Sequence, residues 1–282
     1  MQFVKMHGAG NDFVVLNCLN KEVPEALLPG LSRDMCDRRF GIGGDGIILV
    51  LPSRSAAFKM RMLNPDGSEA EMCGNGIRCF GKYVFDHQLT PDTTITVETL
   101  AGVKTLKMNT QHGRVQTVKV DMGSPEFRRE MIPMKGAGNS EPVIGEVLRV
   151  SGRKLEATCL SMGNPHCVIF ADNLDTFPVE KIGPQIENHR LFPQRTNVPM
   201  VQVLNKGEIR VRVWERGAGE TLACGTGACA AAVASSLNGF TGREVLVHLA
   251  GGDLRIDWTG DNRILMEGPA EQVFTGEFPV NI

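Results

Sequence analysis

The chain has 282 residues, 42% of them hydrophobic and 22% charged, with a formal net charge of −2. That length is long for one compact core and comfortable for two domains. The near-neutral balance gives no electrostatic reason to expect nucleic acid or an anionic membrane as partner, and no apolar run approaches the roughly 18 residues that a bilayer span needs.

The opening stretch MQFVKMHGAGNDFVVLN reads as strand, and its early polar residues do not suit a signal or transit peptide. A helix is expected over 24–39, followed by the glycine-rich GIGGDG (41–46) and a strand in IILVLP. FKMRML (58–63) alternates as a half-buried strand, and a helix follows over 76–89, stopping before Pro91. TITVETL (94–100) and VQTVKVDM (115–122) alternate again. The aperiodic, Pro- and Gly-bearing stretch 126–145 is the best linker candidate, which puts one domain at 1–125 and a second at 126–270. The second half offers a helix over 179–189, a strand in EIRVRVW (208–214) and a helix over 227–238 that stops before Gly239. EVLVHLA (244–250) and DLRIDW (253–258) close the series as strands.

GIGGDG matches the G-x-G-x-x-G dinucleotide pattern in the wrong context. That fingerprint needs a strand before the glycines and a helix after them, and here the order is reversed. Nor does the sequence contain a P-loop. Eight cysteines without a C-x-x-C pair read as reduced thiols of a cytoplasmic protein rather than as a disulfide framework or a zinc ribbon.

Two cysteines stand apart from the rest. Cys73 and Cys224 lie 151 positions apart, and each is followed at once by Gly-polar-Gly and a helical segment. The same offset aligns Gly74 with Gly225, Asn75 with Thr226, Glu69 with Glu220 and Asn64 with Glu215. Earlier in each half, GNDFVV (10–15) parallels GNPHCV (163–168), which matches Asn11 to Asn164. The expectation is a duplicated domain, two copies facing each other about a pseudo-twofold axis with one thiol offered from each side. A cysteine just before a helix sits near unpaired backbone N–H groups and the positive end of the helix dipole, so both thiols are expected to ionise easily. The same N–H groups can hold a carboxylate, and the glycines let the ligand come close.

Strand parity puts Ile209, Val211, Val213 and Glu215 on one face, and Met60, Met62 and Asn64 on another. Glu215 therefore leaves its strand on the apolar side and needs a partner, such as a ligand ammonium or a histidine. His166 follows the GNP turn, where a structural and a functional role are equally plain readings. Cys18, Cys36, Cys79, Cys159, Cys167 and Cys229 read as packing residues, the other histidines as surface or structural, and the charges after Asp37 as a solvated helix end.

GAGNDFVV, NPDGSEAEMCGNGIRC, SMGNPHCV, RTNV and ERGAGETLACGTGACAAAVA together resemble the diaminopimelate epimerase family, from the first strand almost to the C-terminus. The resemblance implies an α/β (α+β type) fold of two pseudo-symmetric domains. Each would be a curved, mostly antiparallel sheet or barrel around a central helix, with the last strand, about 271–282, returning to the first domain. It implies interconversion of LL- and meso-diaminopimelate in lysine biosynthesis without pyridoxal phosphate or metal. Cys73 and Cys224 would be the acid–base pair, one serving each face of the α-carbon. His166 and Glu215 would tune the thiols and hold the substrate ammonium. Gly74, Asn75, Gly225 and Thr226 would hold the carboxylate at the helix N-termini, and Asn11, Asn64, Asn164, Asn197 and Arg216 the remaining polar groups. Gly46 departs from the pattern, standing where some members carry a substrate-contacting glutamine. The only implied partner is a small molecule, with a homodimer as a possible assembly. Two other readings stay open on sequence: another two-cysteine racemase of the proline racemase type, and a non-enzymatic protein that binds soft metal through its thiols.

Overall fold

The structure is a computed structural model that describes residues 1–21, 23–136 and 141–280. It is a mixed α/β chain, mostly strand with four α-helices among the described residues. The chain divides into two compact units, Met1–Asp121 with Glu267–Ile282, and Met122–Met266.

The first unit opens with a hairpin of β1 (Gln2–Gly8) and β2 (Asn11–Asn17), paired antiparallel with Gly8 opposite Asn11. Ala9 and Gly10 make the turn at positive φ (53° and 83°), the geometry that matches the right-handed twist of paired strands. Helix α1 (Leu28–Cys36) then leads to β3 (Gly46–Leu51), which lies parallel to β2. β4 (Phe58–Leu63) runs antiparallel to β3, and the two-residue β5 (Glu69–Ala70) folds back on it. Helix α2 (Gly74–Asp86) crosses to β6 (Thr94–Thr99), parallel to β4, after which β7 (Gly102–Gln111) and β8 (Arg114–Gly123) extend the sheet antiparallel. The chain's last strand, Glu271–Glu277, pairs antiparallel with β1, Gln2 opposite Glu277.

The second unit repeats this order. β9 (Val143–Val150), β10 (Arg153–Ser161) and β11 (Pro165–Phe170) pair antiparallel in sequence. Helix α3 (Val179–Glu187) precedes β12 (Val198–Asn205), which is parallel to β11. β13 (Glu208–Glu215) and the short β14 (Gly219–Thr221) follow antiparallel, then α4 (Gly225–Leu237). β15 (Glu244–Leu249) lies parallel to β13, and β16 (Gly252–Trp258) pairs antiparallel with it. The two central helices match residue for residue at the 151-position offset, each 13 residues long.

Why each unit closes around its helix follows from burial. β3 and β11, each with a parallel and an antiparallel neighbour, are buried along nearly their whole length, so they read as continuous apolar runs rather than alternating ones. α2 packs against β1, β2, β3, β4 and β7, and α4 against β10, β11, β12, β13, β15 and β16. A helix with strands on so many sides must be small or apolar all round. α4 meets that demand with an alanine-rich sequence free of charge, and its buried Ser235 hydroxyl is returned to the Ala231 carbonyl at 2.7 Å. α2 meets it with Ile77, Cys79, Phe80 and Val84 fully buried, and truncating Phe80 to alanine would cost about 3–5 kcal/mol. Its two buried cations both find carbonyl partners. Lys82 donates to the Val115 carbonyl at 2.6 Å and pairs with Asp86 at 2.9 Å, and Arg78 donates to the carbonyls of Gly74 and Pro269.

The stretch read as a linker, 126–145, is anchored at several points of its described part. Glu126 forms a bridge to Ser161, Ile132 and Met134 are buried in the core of the second unit, and β9 begins at Val143. Residues 137–140 of that stretch lie outside the described residues, as do 281–282 of the expected last strand.

Candidate active site

In the first unit Cys73 is the N-cap of α2, held extended at φ −123°, ψ 123° and half-buried. Its thiol donates to Asn11 Oδ1 at 3.4 Å, and Asn75, on the first turn of α2, donates its side-chain amide to the same oxygen at 3.2 Å. Asn11 is the first residue of β2, so the β1–β2 turn delivers it to the helix end. The close fit depends on glycine at two places. A Cβ on Gly8 would lie 2.9 Å from the Asn75 carbonyl, and one on Gly76 would press on Ile48, Met60 and Cys73. Asn64 stands just past β4, where its side chain donates to Ser68 at 3.0 Å and its carbonyl accepts from the Ser32 hydroxyl at 2.7 Å.

Behind Asn11 lies a set of charges that the sequence reading did not collect. Asn11 Nδ2 donates to Asp45 at 2.6 Å, Asp45 pairs with Arg38 at 2.7 Å, and Arg38 is bidentate on Asp12. The buried Lys5 pairs with Asp12 at 2.6 Å and donates to the Gly43 carbonyl. Burial pushes the Asp12 carboxyl up, but hydrogen bonds from Arg38 and Lys5 outweigh it and hold the group at about 2. Arg38 is therefore not simply the solvated helix end expected from its neighbours in sequence. The usable signal was Asp45, the lone charge within the dismissed GIGGDG motif.

In the second unit Cys224 is the N-cap of α4 with almost the same backbone, φ −124°, ψ 112°, but it is buried. Its sulfur accepts from the Gly227 N–H at 3.4 Å and lies 3.6 Å from the Thr226 hydroxyl. Gly227 sits tightly here too, since a Cβ would lie 3.2 Å from the Cys224 sulfur and 3.2 Å from Val213. Asn164 donates to Thr226 Oγ1 at 3.3 Å and receives His166 Nε2 at 2.9 Å. An amide oxygen can only accept, so the imidazole carries its proton on Nε2. Its Nδ1 is buried without a hydrogen-bond partner among the described residues. Burial, reinforced by the Arg216 charge, lowers His166 to about 3, so it is a neutral ring at physiological pH.

Glu215 ends β13, and its carboxylate accepts from the Thr221 hydroxyl at 2.5 Å. Thus the inward carboxylate anticipated from parity finds its partner on the β14 hairpin. Burial first, and then the Glu215 charge, push the Cys224 thiol well above its ordinary range; the hydrogen bonds from Thr226 and Gly227 only partly oppose them. This corrects the expectation that both helix-capping cysteines ionise easily. A helix N-terminus lowers a thiol only where water or a counter-charge can accept the thiolate, and Cys224 has neither.

The turn after β13 is anchored by Glu187, a buried carboxylate at the end of α3. It accepts from Trp214 Nε1 at 2.7 Å and from the Gly217 N–H at 2.9 Å, and pairs with Arg195 at 3.2 Å. Arg216 rides on that turn, its N–H donating to Asn197 Oδ1 at 2.9 Å and its guanidinium to the Gln194 carbonyl. Asn197 is itself fixed by donation to the Pro165 carbonyl at 3.0 Å. Sequence reasoning missed Glu187, although it falls on the buried stripe Val179, Ile182, Gly183, Ile186, Glu187, where a charge needs explaining. Gly46 lies in strand β3, and a Cβ there would come within 2.7 Å of the Leu63 carbonyl. Among the described residues no three His, Cys, Asp or Glu side chains come together as a metal shell, and no helix is long and apolar enough to cross a membrane.

Two half-sites of matching design thus fall one in each unit, Cys73 with Asn11 and Asn75, and Cys224 with Thr226, Asn164 and His166. Known proteins resemble this chain over nearly its whole length. Solved structures share the fold at low identity. A Bacillus anthracis protein of the PhzF phenazine biosynthesis family superposes with a TM-score of 0.71 at 17% identity, with 99% of each chain covered. A probable proline racemase from Agrobacterium radiobacter K84 gives 0.70 at 15% identity, covering 99% of this chain and 93% of that one. The diaminopimelate epimerase of Moorella thermoacetica is 57% identical, with 100% of each chain covered, and that of Pelotomaculum thermopropionicum is 54% identical, with 99% of each covered. The sequence profile described as diaminopimelate epimerase matches residues 3–128 and 158–273, and the chain belongs to that family.

Proposed function

We infer that this protein is an isomerase that interconverts LL- and meso-diaminopimelate in lysine biosynthesis, using one cysteine from each of its two domains. The observation that carries the reading is the repeated N-cap. Both Cys73 and Cys224 sit in extended geometry at the mouth of a helix that begins Gly-polar-Gly. Epimerisation breaks the α C–H bond, passes the proton to a thiolate, and returns a proton from a thiol to the opposite face. The electron pair left on carbon spreads into the α-carboxylate. Backbone N–H groups at Gly74, Asn75, Gly225 and Thr226 suit that developing charge, because they are oriented before the reaction begins.

The two thiols would exchange roles when the reaction reverses. Burial and the Glu215 charge favour the thiol form of Cys224, which supports it as proton donor in one direction, with Cys73, once ionised, as the acceptor. His166, neutral and donating to Asn164, acts as a positioning residue for the Cys224 half-site. Arg216, presented by the turn that Glu187 and Asn197 hold, suits the distal carboxylate of the substrate, and Asn64 and Glu215 suit its polar groups. We place the protein in the cytoplasm, where its eight thiols stay reduced. A homodimer formed over the exposed Val273 and Phe274 of the last strand would bury the largest apolar side chains of that strand. The Phe274→Glu protein would then sediment as a monomer.

The test is α-proton exchange in deuterium oxide with LL- and meso-diaminopimelate after dialysis against a chelator. Deuterium entering the α-position together with epimerisation is the expected result. A protein that exchanges neither isomer, or that racemises proline instead, overturns the assignment.

A further inference from the structure

Asn11 sits between two groups that compete for the orientation of its amide. On one side is the Asp45 carboxylate, 2.6 Å from Nδ2; on the other are the Cys73 thiol and the Asn75 amide, both directed at Oδ1. A carboxylate can only accept, so it forces the NH2 end of Asn11 toward itself and the carbonyl end toward the sulfur. We propose that Asp45, the acidic residue of the GIGGDG segment, is a positioning residue that sets the polarity of Asn11 and thereby favours the thiol form of Cys73 in the substrate-free protein.

Three features support the assignment. Asp45 is held on its own account: its second oxygen takes Arg38 at 2.7 Å, and the Asp12 N–H donates to the first at 3.1 Å. The glycine segment that carries it is tied down independently, with Gly43 and Gly44 donating to the Met35 and Cys36 carbonyls and Asp45 N–H to the Asp12 carbonyl at 2.7 Å. The equivalent asparagine of the second unit has the opposite polarity. There Asn164 turns its oxygen to His166 Nε2 at 2.9 Å and its NH2 to the Thr226 hydroxyl at 3.3 Å. A donor behind one asparagine and an acceptor behind the other give two similar half-sites opposite hydrogen-bonding character at the helix mouth. An acceptor facing a thiol holds its proton, which is the relation of Asn11 to Cys73, whereas the Asn164 NH2 meets the Thr226 hydroxyl rather than the sulfur.

The proposal rests on Cys73 being the reacting thiol of that half-site, but its test reads the sulfur and not turnover. The rate of Cys73 alkylation by iodoacetamide, followed by peptide mass spectrometry across pH, gives a midpoint and a plateau. In Asp45→Leu, which removes the acceptor and excludes water, the midpoint moves to lower pH, so that alkylation at neutral pH rises roughly tenfold. The plateau stays unchanged. Asp45→Ala serves as the second variant should the leucine protein fail to fold. Arg38→Ala, which removes the ion pairs while leaving Asn11 bonded to Asp45, keeps the wild-type midpoint. An unmoved midpoint in the Asp45 variants overturns the proposal. A rise by the same factor at every pH does so too, because that marks local opening, and so does an equal shift in Arg38→Ala.

Discussion

The two half-sites share a backbone and differ in what stands behind it. Cys73 and Cys224 cap their helices at nearly identical dihedral angles, yet Cys73 is half-buried beside an amide oxygen and Cys224 is buried against a carboxylate. Asn11 is backed by the acidic Asp45 and its Arg38–Asp12–Lys5 ion pairs; Asn164 is backed by a neutral, deeply buried histidine. Duplication therefore supplied the geometry twice, and the residues one layer further out made the halves unequal. For the proposed reaction, which needs one proton acceptor and one donor, that inequality would tell the two thiols apart. Two identical thiols would have to rely on the substrate alone to tell them apart.

The largest effect expected is on the thiols themselves. Cys73→Ala and Cys224→Ala should each lower epimerisation by roughly 10²–10⁴-fold, the usual worth of a positioned acid or base. Near wild-type turnover in either protein would mean that one half-site is dispensable, and the comparison would break there.

Next comes Glu215→Gln, which removes the charge that helps keep Cys224 protonated. With only burial left to raise it, the Cys224 thiol should ionise at lower pH, and iodoacetamide should reach it faster at pH 8. The loss in kcat is expected to be about ten- to a hundredfold, since a carboxylate in contact with the reacting thiol is also lost. Unaltered Cys224 alkylation would show that burial alone controls this thiol.

His166 gives a prediction about stability rather than rate. Its ring is lowered from 6.5 to about 3 in the folded protein, so below pH 6.5 the unfolded chain binds the extra proton and the folded chain does not. Stability from this group is complete above pH 6.5 and is lost as the pH falls toward 3. By pH 5 the loss is about 2 kcal/mol. Urea unfolding at pH 7 and pH 5 should show that difference in the native protein and a smaller one in His166→Asn. The same drop in both proteins would place the acid sensitivity elsewhere, for instance at His189, which burial also lowers.

The smallest effect is expected from Thr226→Val. It deletes the hydroxyl that links Asn164 to the Cys224 half-site, worth about 1 kcal/mol and so roughly fivefold in kcat/KM. An effect as large as that of losing a cysteine would make Thr226 part of the chemistry rather than a support for it.

Much of this was legible in the chain. The strand at 58–63 was read at its exact bounds, and the 151-residue offset placed both helix mouths, because a Gly-polar-Gly after an extended residue can do little else at a helix start. The parity argument correctly put Ile209, Val211 and Val213 inside and sent Glu215 inward at the strand end. The strands β7, β9 and β10 were harder, since each has exposed polar positions that blur its alternation. Asp45 and Glu187 escaped altogether. Each acts through a partner far away in sequence, Asn11 at one remove of 34 residues and Trp214 at 27, and neither has a local pattern that names that partner.

What the sequence alone determined is whatever depends on local chemistry and spacing: the duplicated order, the two N-cap cysteines, the apolar stripes, and the family to which the motifs belong. The tertiary structure decided the state of those residues. Whether a thiol beside a helix dipole ionises depends on how much water reaches it and which charge lies against it. Those are sums over neighbours brought in from distant strands, as Glu215 and Thr221 are for Cys224. Likewise, whether an asparagine presents its oxygen or its nitrogen is invisible in its identity. It is fixed only when folding puts a carboxylate behind Asn11 and an imidazole N–H behind Asn164.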